Sequence, residues 1–122
     1  MKVWLDDIYN PENYGCADYI WYKNGRTLFH ELDDIEDKIT HLHLDHYLTH
    51  NISSFDSVIT GHEIFLTIDW ELEEGKYKNL RYIYIHTSCD EMAQKYFKNV
   101  DIQELKDKYN VTVIRKSLEN NY

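Results

Sequence analysis

Proline occurs once in this 122-residue chain and glycine four times, so no linker or low-complexity segment divides it. The two cysteines, Cys16 and Cys89, are too few and too far apart to suggest a disulfide framework or a zinc-binding cysteine motif. Positive charge is scarce: 13 Lys and Arg stand against 22 Asp and Glu, a formal net charge of −9. That balance argues against a long nucleic-acid duplex as partner, because a phosphate backbone needs a clustered basic face. A small phosphate ester held through a bound cation escapes the argument, since the ion supplies the charge. No apolar run approaches the ~18–20 residues of a membrane span. Met1-Lys2-Val3-Trp4-Leu5 runs directly into a strand without a signal-peptide pattern. The expectation is a cytoplasmic protein with no membrane partner.

What is present is apolar and aromatic. Hydrophobic residues make up 43% and aromatics 15%, with Tyr at 11 positions, a composition that folds rather than one that stays disordered. The length suits one domain over residues 1–122. Abundant Tyr and Asn also fit an AT-rich genome, such as a viral one.

Strand-like and helical patterns alternate. Lys2 to Leu5 and Tyr19 to Tyr22 read as strands, and Leu28, Phe29, Leu32 and Ile35 mark a helix over roughly 25–36. Ile39 to Leu44 reads as a strand ending at Asp45, and a polar loop covers roughly 47–59. Ile64, Phe65, Ile68 and Leu72 share one helix face that stops near Gly75. Tyr82 to Ile85 is the strongest strand signal and ends at His86, helices follow around Met92–Phe97 and Ile102–Tyr109, and Val111 to Ile114 closes the pattern. This alternation implies an α/β fold with a doubly wound five-stranded parallel sheet in the receiver (flavodoxin-like) order 2-1-3-4-5, helices covering both faces.

In such a sheet, ligands sit beyond the carboxyl ends of the strands, where strand order reverses, here between the first and third strands. Asp6 and Asp7 end the first strand and Asp45 and His46 the third, so two acidic clusters remote in sequence become neighbours. Three crowded carboxylates repel unless a cation compensates, and hard oxygen ligands suit Mg²⁺ or Mn²⁺. Taken singly, either cluster is an ordinary strand end opening a turn; their joint position favours a metal site on Asp6, Asp7 and Asp45. His46 and His86 end the central strands and are placed for general acid–base work or metal ligation. His41 and His43 alternate with Leu42 and Leu44 and are expected to be structural, while His30, His50 and His62 are expected to face solvent. Thr60-Gly61-His62-Glu63 and Ser88-Cys89-Asp90-Glu91 each fit a capping box, which accounts for Thr60 and Ser88 structurally. The same helix N-termini can also bind phosphate through free amides, and Thr87 is not needed as a cap.

Leu5-Asp6-Asp7, Leu44-Asp45-His46-Tyr47-Leu48, Thr60-Gly61 and Ile85-His86-Thr87-Ser88 occur in the order of a known motif set. Together they resemble the cyclic-phosphate-processing receiver domains, whose members carry LDD, LDHDL, TG and an IHS-type strand end. The resemblance implies a receiver fold turned to chemistry on cyclic phosphates of small nucleotides or RNA ends. Carried over, Asp6 and Asp7 match the acidic metal pair, Asp45 the phosphoacceptor position, and His46 and His86 the family's added histidines. Thr87 or Ser88 matches a hydroxyl near the phosphate. The catalytic candidates are therefore Asp45, His46, His86 and Thr87, and the substrate-binding candidates Thr60, Gly61 and Ser88. The chain departs from the pattern where Tyr9 stands in place of the usual Arg, Tyr47 in place of the second Asp of LDHDL and Asp90 near a usual Asn, and the receiver's fifth-strand Lys has no match beyond the nearby Arg115 and Lys116. A metal-dependent phosphoesterase, a hydrolase of such esters, is the leading expectation. A non-catalytic module that binds a nucleotide or a protein partner is the alternative. A phosphorelay receiver ranks last, because it leaves His46 and His86 unexplained.

Overall fold

The computed structural model describes residues 1–45, 59–87, 90–98 and 100–116. Five parallel strands form one sheet in the order β2-β1-β3-β4-β5: β1 (Lys2–Leu5), β2 (Ile20–Tyr22), β3 (His41–Asp45), β4 (Tyr82–His86) and β5 (Thr112–Lys116). Order and direction are those expected of a doubly wound receiver-type α/β fold. The last strand starts one residue later than its apolar pattern suggests and runs on through Arg115 and Lys116.

Period-2 alternation decides which residues meet the helices. Val3 and Leu5, Leu42 and Leu44, Ile83 and Ile85, and Val113 belong to one core cluster. Their partners in it come from α1 (Gly25–Ile35), α2 (Gly61–Glu73), α3 (Asp90–Lys98) and α4 (Ile102–Tyr109): Leu28 and Leu32, Ile64, Phe65, Ile68 and Leu72, Phe97, and Leu105. Three helix starts fit their sequence, those of α1, α2 and α4. The Asn24 side chain accepts from the amides of Arg26 and Thr27, Thr60 Oγ1 from Glu63, and Asp101 from Glu104. α4 ends on Asn110, whose left-handed φ of 56° lets its amide close the last turn.

The intervening residues Lys2 and Trp4, His41 and His43, Tyr82, Tyr84 and His86 face the other way. Helices on both faces were expected, but all four described α-helices pack on the first face. The β1–β2 crossover supplies the second face with only a 3₁₀ turn, Pro11–Tyr14. The physical reason is length and chemistry: Asn10 caps this turn, Pro11 starts it and Gly15 (φ 75°) stops it, leaving no room for an α-helix. Trp4 compensates as a wide apolar filler, fully buried between Tyr14 (ring centroids 6.1 Å) and the edge of Tyr19 (5.7 Å). No described helix is long and apolar enough to cross a membrane.

Candidate active site

The strand register brings the polar strand ends together. Leu5 pairs with Leu44, so Asp6 and Asp45 each lie one residue beyond that pair, and Asp45 pairs with His86 and His86 with Lys116. A row of charged and titratable groups crosses the carboxyl edge of the sheet. Asp6 is its centre. It is fully buried, and its Oδ1 accepts the amides of Ile8 and Tyr9, each at 3.0 Å, closing an Asx-type turn that directs the chain off β1. The indole of Trp21 donates to the Asp6 carbonyl at 2.7 Å, which fixes the backbone at the same point.

Asp6 Oδ2 points along the row. His86 Nδ1 lies 3.4 Å from it and His43 Nε2 3.8 Å, while His86 Nδ1 is also 3.8 Å from Asp45 Oδ1. These separations exceed an ordinary N–H···O bond, and Oδ2 is buried without a hydrogen bond among the described residues. Burial works against ionising Asp6, yet the His43 and His86 rings and the amides of Tyr9 and Ile8 outweigh it and hold the carboxyl well below the usual range. His43 is pushed the other way. Its burial lowers it to about 4 against the pull of Asp6, so the ring is neutral at pH 7 and fit to donate from Nε2 to a carboxylate. It is clamped from the side by Trp4, with ring centroids 3.6 Å apart and planes 3° from parallel.

The structure therefore brings Asp6, Asp45 and His86 together, with Asp7 beside them: one carboxylate oxygen each from Asp6, Asp7 and Asp45 lies within 4.8 Å of the others. Thr87 follows His86, is buried, and its carbonyl accepts from Arg115 Nε at 3.1 Å. Thr60 Oγ1 accepts the Glu63 amide at 3.1 Å, the capping role, and Gly61 is the buried first residue of α2. His46 and Ser88 lie outside the described residues. His41 contacts Thr40 Oγ1 at 2.9 Å and stacks on Tyr82, away from the cluster. His30 is exposed on α1, whereas His62, expected in solvent, is partly buried.

His43, expected to be structural, is fully buried and packed on Trp4, and it also faces Asp6, a neighbour its own strand does not reveal. The signal available was Trp4, which shares the face of His43 and directly pairs with it in register. Lys116 also gains a position, ending β5 opposite His86 with its ammonium 5.7 Å from the centre of the Tyr84 ring.

A parallel sheet of order 2-1-3-4-5 with an acidic cluster at its switch point defines a receiver-class domain. Residues 1–101 match the family described as the cyclic-phosphate processing Receiver domain, and the chain belongs to that family. No curated protein and no solved structure matches it.

Proposed function

We propose that this domain is a metal-dependent phosphoesterase that opens a cyclic phosphate of a small nucleotide or an RNA end. The observation that carries the reading is His86: a histidine set against two aspartates, 3.4 Å from Asp6 and 3.8 Å from Asp45, in a receiver-type acidic cluster. Phosphorelay chemistry gives it no role, whereas ester hydrolysis needs a group that moves a proton near neutral pH.

With Nδ1 held toward the carboxylates, Nε2 is the nitrogen left for the substrate, the orienting logic of a His–Asp pair. Water adds to phosphorus, one ring P–O bond breaks, and the proton lost by water reaches the departing sugar oxygen by way of His86. His46, adjacent to Asp45 in sequence, is the candidate to share that transfer. Thr87, with the Thr60-Gly61 helix start and with Ser88, which follows it in sequence, is the candidate to bind phosphate oxygens. Asp6, Asp7 and Asp45 fit a hard divalent ion, being three convergent oxygens of which one, Asp6 Oδ2, is buried with no hydrogen bond among the described residues. A bound Mg²⁺ or Mn²⁺ would supply charge neutralisation at the phosphate.

The test is a panel of 2′,3′-cyclic and 3′,5′-cyclic nucleotides and cyclic dinucleotides with Mn²⁺, run on the wild type and on His86→Ala. Removing the proton carrier should cost about 10²–10⁴ in rate with the circular dichroism unchanged. A panel that is neither bound nor hydrolysed refutes the reading. Binding without turnover favours a module that sequesters a nucleotide, which one observation supports: the Tyr9 ring stands edge-on to His86 at 5.6 Å. That side chain occupies the position where the resembling family usually has Arg.

A further inference from the structure

We propose that Asp6, His43 and His86 form a three-ligand site for a divalent ion of the zinc class, sharing Asp6 with the all-oxygen set. One ligand atom from each of the three lies within 4.8 Å of the other two. Bonds of about 2.0–2.1 Å at tetrahedral angles place neighbouring ligand atoms roughly 3.3–3.4 Å apart. The two separations at Asp6 Oδ2 are 3.4 Å to His86 Nδ1 and 3.8 Å to His43 Nε2. An octahedral ion with bonds of the same length needs about 2.9 Å between adjacent ligands, a poorer fit to these donors. They are too far apart for good hydrogen bonds and spaced for a small cation between them.

Donor chemistry points the same way. Two imidazole nitrogens and one carboxylate oxygen suit Zn²⁺ and its transition-metal neighbours, whereas Mg²⁺ takes oxygen. The ligands are also held in place. Asp6 Oδ1 is tied by two amides, and Trp4 lies flat on the His43 ring, so little freedom remains to be lost on binding. Three protein ligands leave a fourth position open, the arrangement of a reactive rather than a structural zinc site. Asp45 Oδ1 lies 3.8 Å from His86 Nδ1, at the side of the cluster. The site stands whether or not a cyclic phosphate is the substrate; with Nδ1 on an ion the His86 ring keeps its proton on Nε2, so in that state His86 is a ligand and not the proton carrier.

Co²⁺ is the probe, because four-coordinate Co²⁺ with nitrogen ligands absorbs strongly in the visible and six-coordinate Co²⁺ weakly. Chelator-stripped full-length protein should develop the strong band with one equivalent of Co²⁺ and lose it to Zn²⁺ but not to Mg²⁺. His86→Ala and His43→Phe, the latter keeping a ring against Trp4, should each abolish the band. Asp45→Asn should keep it while losing Mg²⁺ binding, which separates this site from the oxygen set. If His43→Phe fails to fold, His86→Ala decides alone, since that ring is partly exposed. A weak six-coordinate spectrum, or a strong band that survives His86→Ala, overturns the proposal.

Discussion

Removing Asp6 in two ways separates the roles of its two oxygens. Asp6→Asn keeps an acceptor at Oδ1 for the Ile8 and Tyr9 amides and replaces the charged Oδ2 with a neutral amide nitrogen; Asp6→Ala removes both. Any relief of repulsion with Asp7 and Asp45, and any loss of attraction to the histidines, is common to the two variants. Their difference therefore reports chiefly the turn. Two part-buried amides left without acceptors cost about 1 kcal/mol each, and the lost volume at a fully buried position adds roughly another, so Asp6→Ala should be less stable than Asp6→Asn by about 2–3 kcal/mol. With a urea slope of about 1–3 kcal/mol per molar, that separates the unfolding midpoints by roughly 0.7–3 M. The assay is equilibrium urea unfolding at neutral pH in chelator, with slopes compared to exclude a change in the denatured state. Coincident midpoints would show that the amides find other partners, and the account of how β1 is terminated would fail.

Acid unfolding tests the charge itself. The Asp6 carboxyl is held below its unfolded value of about 3.9, so it contributes stability above that pH and loses it as pH falls through its lower folded value. Wild type should therefore lose stability more steeply below about pH 4 than Asp6→Asn does, and parallel curves refute this. Asp45→Asn should raise the melting temperature of the metal-free protein by relieving like-charge crowding, and should abolish the stabilisation that millimolar Mg²⁺ or Mn²⁺ gives the wild type. A wild type indifferent to both ions counts against the oxygen site. At the end of α4, Asn110→Val should destabilise by about 1–2 kcal/mol because a branched side chain resists the left-handed backbone there. Asn110→Gly should melt at or above the wild type, and equal melting of Val and Gly variants would sink the argument.

The carboxyl edge of the sheet was readable because its chemistry is local. A short apolar run that stops at Asp6, Asp45 or His86 marks a strand end, and the order of runs sets which ends are adjacent. The helices were readable for the same reason: the Leu28–Leu32 and Ile64–Leu72 spacings each define one buried face. His43 was not readable from its own strand. Alternation puts His41 and His43 on one face, but one stacks on Tyr82 and the other is sealed beneath Trp4 beside Asp6. That difference is made by β1 and by the 3₁₀ crossover, both remote in sequence. Helices on both faces were expected from the strand–helix alternation as a whole, whereas Asn10, Pro11 and Gly15 hold the first crossover to a single 3₁₀ turn.

The stack of Trp4 on His43 also gives the protein an optical handle on its own site. Trp4 is fully buried while Trp70 is 70% exposed, so their emissions differ in wavelength and in accessibility to dissolved quenchers. An imidazole lying 3.6 Å from an indole accepts its excited-state electron density most readily when it carries positive charge. Any event that alters the charge on the His43 ring, whether a proton or a bound ion, is therefore read by the neighbouring fluorophore without a label. A Trp70→Phe variant, altered only at the exposed position, would leave Trp4 and the partly exposed Trp21 to report, with the quencher-insensitive part of the signal belonging to Trp4.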